Sequence, residues 1–204
     1  MSAPIRLAVI ASLLFVALAA LVAAGTFHGA DQYAVSHWMP WLQGESHPFV
    51  EISTLVVPET RWTLGGTLVA LWTYPASLLP SALVAGYAAW RLRAAGPAAL
   101  WVAANAVELA GKLLVERPAL YAHGRHVTGF DHSLPSGHTM RALVVAYALA
   151  ALGRRGRLAY AWALSVPFAL VALGDHVPTD VVAGLLAFAG MYAIKLTFTS
   201  SRSR

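Results

Sequence analysis

The sequence predicts an all-α membrane protein whose helices cross the bilayer as a bundle. Hydrophobic residues make up 58% of the 204-residue chain and charged residues only 11%, whereas a soluble domain carries about a quarter charged residues. Apolar runs of about 17 to 25 residues, the length that crosses a bilayer as a helix, recur along the chain. We therefore expect one transmembrane domain that covers residues 1–204.

Six transmembrane helices are predicted from these runs. They lie at residues 5–24, 64–90, 97–115, 137–152, 159–173 and 181–198. The second run is long and contains Pro75 and Pro80, so we expect a kinked or tilted helix, with two shorter helices as the alternative. The first run resembles a cleaved signal peptide only loosely, and a retained helix is favoured.

The basic residues predict the orientation, because short cytoplasmic loops are enriched in Lys and Arg. With six spans the following residues fall on one side of the membrane: Arg6, Arg91, Arg93, Arg154, Arg155, Arg157, Lys195, Arg202 and Arg204. Both termini are therefore expected in the cytoplasm. The same distribution argues against nucleic-acid binding despite the net charge of +5, and the lack of cysteine excludes thiolate chemistry and disulfides.

The opposite side of the membrane receives the histidines. The chain has eight: His28, His37, His47, His123, His126, His132, His138 and His176. Chemistry is therefore expected at the extracytoplasmic face of the cell membrane. An outer segment at residues 26–61 follows the first helix, and its Trp38, Met39, Trp41 and Leu42 predict an interfacial piece, either a simple anchor or a lip that admits lipid.

Two short motifs at the starts of predicted helices carry the residues expected to react. One is the Pro-Ser-Gly-His segment at residues 135–138, and the other is His176 followed four residues later by Asp180. An imidazole can attack phosphorus or carry a proton near neutral pH. Asp180 would share a helical face with His176 and hold its ring in the reactive tautomer. The two motifs together predict phosphoryl transfer.

A phosphate pocket also needs cations and N–H donors. Ser136 and Gly137 would present backbone N–H groups at a positive helix end. Lys112, Arg117 and Arg141 are the candidate cations, since ionisable groups at membrane depth are costly and are functional candidates by default. His138 would protonate the leaving alkoxide and then activate water. Neither a metal nor another cofactor is required.

Structural explanations compete with each of these assignments. Lys112 has Glu108 and Glu116 four residues to either side and could simply be a paired lysine. The Ser-Gly pair could be an ordinary helix cap, and His176 with Asp180 could be a hydrogen-bonded structural pair. The loop residues His123, His126, Asp131 and His132 match no compact zinc pattern, so a solvated loop over the site is favoured.

On these motifs the chain resembles the type 2 phosphatidic acid phosphatase superfamily, the lipid phosphate phosphatases. That family carries Lys, six residues, Arg-Pro; then Pro-Ser-Gly-His; then Ser-Arg, five residues, His, three residues, Asp. The second motif is complete here at residues 135–138, and the end of the third is complete as His176 and Asp180. The resemblance implies a nucleophilic His176 oriented by Asp180, an acidic His138, and phosphate contacts at Ser136 and Gly137.

The chain departs from the family pattern at two arginines. Arg117 follows Lys112 two residues earlier than the pattern requires, and the Ser-Arg positions of the third motif hold Ala169 and Leu170. Arg117 and Arg141 together are the expected replacements, and Arg125 is a weaker one. A lost charge-assisted contact is worth about 1.5–3 kcal/mol, so an uncompensated pocket would bind phosphate poorly.

The favoured function is metal-independent hydrolysis of a membrane lipid phosphate or diphosphate through a phosphohistidine. Polyprenyl carriers, phosphatidylglycerophosphate and phosphatidate are the candidate substrates, and analogy with the family favours polyprenyl carriers. A phosphotransferase that uses the same histidine is one alternative. A non-catalytic lipid-phosphate binder is another, and a transporter is disfavoured because the chain shows no internal repeat. The expected partners are the lipid substrate and the bilayer, and the oligomeric state stays open.

Overall fold

Helices make up almost all of the structure, a computed structural model that describes residues 1–40, 63–122, 125–126, 134–153 and 155–201. The elements within these residues are α1 (Ala3–Ala23), α2 (His28–His37), α3 (Leu64–Thr73), a 3-10 turn (Tyr74–Ala76), α4 (Leu78–Leu92), α5 (Gly96–Leu114), β1 (Tyr121–Ala122), β2 (Arg125–His126), α6 (Gly137–Ala151), α7 (Gly156–Leu173) and α8 (Pro178–Ser201). The two strands pair antiparallel, with Tyr121 opposite His126. The predicted all-α class is confirmed.

Four helical segments are long and apolar enough to cross a membrane, which supports a membrane protein. They are Ala3–Ala23, Leu64–Leu92, Gly156–Leu173 and Pro178–Phe198. They correspond to the first, second, fifth and sixth predicted spans. The third and fourth predicted spans form α5 and α6, but α6 has only 15 residues and α5 carries Glu108 and Lys112. Six spans and the cytoplasmic termini therefore stay predictions.

The second apolar run is interrupted at its first proline. Pro75 lies in the 3-10 turn between α3 and α4, where the helical hydrogen-bond pattern changes. Pro80 lies in the first turn of α4, where a missing N–H removes no helical hydrogen bond. The run is therefore two helices joined by a tight turn, the alternative that the sequence left open, although their combined 29 residues form one candidate span.

Helix α6 is the centre of the bundle. It packs against α4, α5, α7, α8 and the 3-10 turn, and ten of its residues are buried: Gly137, Thr139, Met140, Arg141, Ala142, Leu143, Val144, Val145, Ala146 and Ala148. Helix α1 packs along α8 and exposes apolar side chains such as Leu13 and Val16 on its other face. A helix with an apolar exposed face suits contact with lipid, whereas α6 is shielded by its neighbours.

Two glycines allow the segment before α6 to pass between α5 and α8. A Cβ at Gly111 of α5 would lie 2.6 Å from the Leu134 carbonyl oxygen, and one at Gly184 of α8 would lie 2.8 Å from the Ser136 carbonyl oxygen. Real Cβ atoms do not approach so closely, so both positions require glycine for this packing. The Ser136 amide also donates to the Asp180 carbonyl oxygen at 2.9 Å. These contacts bring the two sequence motifs together at one end of the bundle.

Candidate active site

The Pro-Ser-Gly-His segment forms the capped start of α6. The Ser136 hydroxyl oxygen accepts hydrogen bonds from the Thr139 amide at 3.2 Å and from the Thr139 hydroxyl at 3.0 Å. The structural role foreseen for Ser136, a helix cap, is therefore present. A hydroxyl has two acceptor positions and one donor, so the group that Ser136 retains for a phosphate is its own proton.

The two histidines of the motifs lie side by side. The ring centroids of His138 and His176 are 6.2 Å apart, and the planes are inclined by 60°. His176 is 3% exposed, and its Nδ1 lies 3.7 Å from Asp180 Oδ2. That distance is too long for a hydrogen bond, and the two groups form an ion pair only when His176 is protonated. Asp180 therefore faces Nδ1 of His176, and Nε2 is the ring nitrogen that faces away from Asp180.

His138 has a defined neighbour on its other side. Nη2 of Arg141 lies 3.4 Å from His138 Nδ1. Because a guanidinium can only donate, this contact is a hydrogen bond only if Nδ1 of His138 is an acceptor. The neutral ring then carries its proton on Nε2. A histidine that donates a proton must be an imidazolium, in which Nδ1 is also protonated and the contact with Arg141 is no longer a hydrogen bond.

Arg117 connects the outer helix α2 to the His176 motif. One guanidinium nitrogen donates to Asp180 Oδ1 at 2.9 Å. The other donates to Asp31 Oδ2 at 2.5 Å and to the Thr179 hydroxyl at 2.9 Å. All three partners are buried. In this arrangement Arg117 holds Asp180 in place behind His176, and the phosphate contact expected for Arg117 stays a prediction.

Asp31 is held against Arg117 by the packing of α2. The neighbouring Gln32 pairs with the backbone of Tyr121, donating to its carbonyl oxygen at 2.7 Å and accepting from its amide at 2.9 Å. Burial raises the pKa of the Asp31 carboxyl, and the nearby Asp180 charge acts in the same direction. The Thr179 hydrogen bond and the Arg117 charge lower that pKa. One guanidinium therefore serves two buried carboxyl groups.

Arg141 belongs to a second cluster, built on α5. Its Nε donates to the Ala76 carbonyl oxygen at 3.0 Å, and its Nη1 donates to Asn105 Oδ1 at 3.0 Å and to Glu108 Oε2. Lys112 lies 3.2 Å from the other oxygen of Glu108. The predicted pairing of Lys112 with Glu108 is thus present. Two cations and one carboxylate meet beside His138.

The Glu108 carboxylate lies directly over the first residue of α6. A Cβ at Gly137 would overlap all three atoms of the carboxylate. Glycine at this position therefore leaves room for the Glu108 side chain, which would have to turn away from any larger residue. The carboxylate sits where the helix end and two cations favour negative charge.

The position of the missing third-motif arginine lies in the apolar core. Leu170 is fully buried and belongs to the same cluster as Val166 and Met140. Arg141 of α6 instead places its guanidinium 3.4 Å from His138 Nδ1. The guanidinium of Arg117 lies beside Asp180. The two replacements expected from the sequence thus sit on different sides of the histidine pair.

Some predicted residues lie outside the described part of the chain. They are Trp41, Leu42, His47, His123, Asp131, His132, Arg154, Arg202 and Arg204, and the side chains of Arg125 and His126 are likewise not described. Among the described residues no group of three His, Asp or Glu side chains is arranged to hold a metal ion.

Sequence reasoning missed Asp31, Thr179 and the position of Glu108. Asp31 is 149 residues from Asp180, so no local spacing joins them. A signal existed for Glu108, because it lies four residues before Lys112, but that spacing predicts a helix-surface pair and not a contact with another helix.

An all-α membrane protein with paired histidines, a supporting carboxylate and clustered cations is a candidate phosphoryl-transfer enzyme of the bilayer. Comparison with protein families makes the assignment specific: residues 58–203 match the family model of the PAP2 superfamily. The chain therefore belongs to the PAP2 superfamily, as its motifs predicted. Members of this superfamily are phosphatases that act on phosphate esters, often of lipids. No curated protein and no solved structure gives a match.

Proposed function

We propose that this protein hydrolyses a membrane lipid phosphate or diphosphate without a metal, through a phosphohistidine on His176. The observation that carries the proposal is the juxtaposition of His176 and His138, whose ring centroids are 6.2 Å apart at the starts of two neighbouring helices. Such a pair provides a nucleophile on one side of a phosphoryl group and a proton donor on the other.

In the first step Nε2 of His176 attacks phosphorus while the bond from phosphorus to the lipid oxygen breaks. His138, in its imidazolium form, gives its Nε2 proton to the departing oxygen and becomes neutral, so that a neutral lipid alcohol, or a lipid monophosphate from a diphosphate, leaves. Asp180 faces Nδ1 of His176 and stabilises the positive charge that develops on the ring. Lys112 and Arg141 lie where they can stabilise the phosphoryl oxygens.

In the second step water attacks the phosphohistidine. His138, now without its proton, accepts one from the water as the oxygen bonds to phosphorus. The bond from phosphorus to Nε2 of His176 breaks, inorganic phosphate leaves, and both histidines return to their initial states. The same two residues therefore act in both steps with reversed proton flow.

The membrane setting supports a lipid as the substrate. The site lies at one end of a bundle with four helices of membrane-spanning length and composition, so a headgroup can reach it while its tail stays in the bilayer. The positions of the basic residues support six spans, cytoplasmic termini and a site on the extracytoplasmic side. A polyprenyl carrier is our first choice of substrate, with phosphatidylglycerophosphate and phosphatidate next.

Phosphate release by the purified protein in detergent tests the proposal. Polyprenyl phosphate, polyprenyl diphosphate, phosphatidylglycerophosphate and phosphatidate would be assayed in EDTA. We expect release to fall at least about a thousandfold in His176→Ala, because the nucleophile is lost. His37→Ala is the matched control, since His37 is exposed on α2, and it should retain wild-type release.

Rapid labelling that is acid-labile and base-stable, as expected of a phosphohistidine, would be sought on His176 with ³²P-labelled substrate. A labelled His176→Ala variant, or wild-type release that EDTA abolishes, would contradict the proposed mechanism. A new phospholipid in place of free phosphate would identify a phosphotransferase. Tight lipid-phosphate binding with no turnover in the folded protein would identify a binder.

A further inference from the structure

The carboxylate of Glu108 occupies the position that suits an anion best in this site. Its two oxygens contact Lys112, at 3.2 Å, and Arg141. The same carboxylate lies over Gly137 at the start of α6, so closely that a Cβ there would overlap it. The Glu108 side chain is only 14% exposed. Lys112, Arg141 and the start of α6 thus already stabilise the negative charge of a side chain of the protein.

A phosphoryl group needs the same partners. The proposed roles of Lys112, Arg141 and Gly137 place phosphoryl oxygens where the Glu108 carboxylate now lies. Two anions that share the same cations repel each other strongly, and this repulsion is larger in a site that is shielded from bulk water. Binding of phosphate therefore requires Glu108 to turn away or to lose its charge.

We infer that Glu108 is an internal counter-anion that determines specificity, because the substrate phosphate must exchange with it. This inference rests on the proposed function, since it concerns the same pocket. Glu108 lies between Lys112 and Arg141 and neutralises part of their charge. When a phosphate enters, the carboxylate gives up both contacts.

The exchange favours headgroups with more than one negative charge. A phosphodiester carries a single charge, so it replaces the Glu108 carboxylate with an equivalent anion and gains little. A terminal monoester or diphosphate carries more charge and gains more from Lys112 and Arg141. Glu108 therefore selects terminal phosphates and disfavours the diester headgroups that abundant membrane phospholipids carry.

The experiment measures how anions bind to the full-length protein in detergent. Inorganic phosphate, methyl phosphate and dimethyl phosphate would be titrated by calorimetry into the wild type and Glu108→Gln. Glutamine keeps the shape of the side chain and removes its charge. Glu116→Gln is the matched control, because Glu116 has the same four-residue spacing from Lys112 and is exposed.

We expect Glu108→Gln to bind inorganic phosphate about tenfold to a hundredfold more tightly, because one competing charge-assisted contact is removed. Dimethyl phosphate should gain affinity as well, because the contacts that Glu108 gives up are the same for every anion, so a diester that the wild type binds weakly should become measurable. Glu116→Gln should behave as the wild type. Equal or weaker phosphate affinity in a folded Glu108→Gln would overturn the inference, as would a wild type that binds both methyl esters equally.

A second variant guards against misfolding. Glu108→Asp keeps the charge but withdraws it by one methylene group, and it should tighten phosphate binding by a smaller factor than glutamine does. Hydrolysis measured in parallel separates the two proposals. Tighter anion binding in Glu108→Gln without lipid turnover in the wild type would contradict the hydrolase and support the counter-anion. Wild-type turnover with unchanged anion affinity in both variants would support the hydrolase and contradict the counter-anion.

Discussion

Replacement of Arg117 by methionine should destabilise the fold strongly. Its guanidinium, 8% exposed, lies between Asp31 at 2.5 Å and Asp180 at 2.9 Å, and these carboxyl groups are 1% and 0% exposed. Methionine has a similar length and no charge, so both carboxyl groups would lose their shared cation. Removal of one member of a buried ion pair costs about 3–5 kcal/mol. For a chain of this size that is a fall of about 10 °C in Tm.

The double variant Arg117→Met/Asp31→Asn tests the cause of this loss. In the wild type one cation faces two acids, so the Asp31 charge is in excess. Asp31→Asn alone should therefore change the free energy of unfolding by less than about 1 kcal/mol, since Arg117 and Asp180 still pair. Added to Arg117→Met it should recover about 1–2 kcal/mol, because the mutual repulsion of the two carboxyl groups disappears.

The pH dependence of stability tests the direction of the Asp31 pKa shift independently. Burial raises the pKa of Asp31, so the native state keeps a proton that the unfolded state has released. That contribution to stability is complete below about pH 4, the ordinary pKa of an aspartate, and it is lost as the pH rises through the raised pKa. The stability of the wild type relative to Asp31→Asn should therefore fall as the pH increases from about 4.

Thermal unfolding of the four proteins in one detergent, followed by circular dichroism at several pH values, provides these measurements. A cost below about 1 kcal/mol for Arg117→Met would refute the shared-cation argument. So would a double variant no more stable than Arg117→Met. A wild type that becomes more stable relative to Asp31→Asn as the pH rises would contradict the direction of the Asp31 pKa shift.

Two further substitutions address the helix start and the missing arginine. Gly137→Ala should fold but release phosphate at least about tenfold more slowly, because its methyl group fills the space over the helix end. The control is Gly86→Ala, because a Cβ at Gly86 meets open space. Undiminished release by Gly137→Ala would exclude phosphate from that position. Leu170→Arg restores the family residue but buries a charge in the apolar core. Its Tm should therefore fall sharply, without any gain in phosphate release. A stable variant with faster phosphate release would show that the arginine can reach the pocket.

The helices could be predicted closely because their signal is local. The first apolar run was expected at residues 5–24 and forms Ala3–Ala23, and the last was expected at residues 181–198 and forms Pro178–Ser201. Such runs follow from hydrophobicity and length, which each segment carries by itself. The interruption at Pro75 was also readable, since proline removes a donor and restricts its predecessor.

The residues proposed for the reaction were likewise visible, because His138, His176 and Asp180 lie in short motifs at helix starts. Their partners were harder to see. The sequence pointed to Arg117 and Arg141 as cations but not to what each would contact. Arg117 meets Asp31 from a helix 86 residues earlier, and Arg141 meets Glu108 from α5. Such contacts depend on which helix faces which, information that no local pattern contains.

By itself the sequence determined the membrane class, the positions of the apolar helices and the family, and it pointed to the histidines proposed to react, because each depends on residue type and spacing along the chain. Only the tertiary structure decided which charges pair. The close passage of the Ser136 segment between Gly111 and Gly184 brings the motifs together. That packing also places the Glu108 carboxylate on the start of α6. The physical reason is that an ion pair forms between atoms near in space, and distance in space is set by the packing of helices.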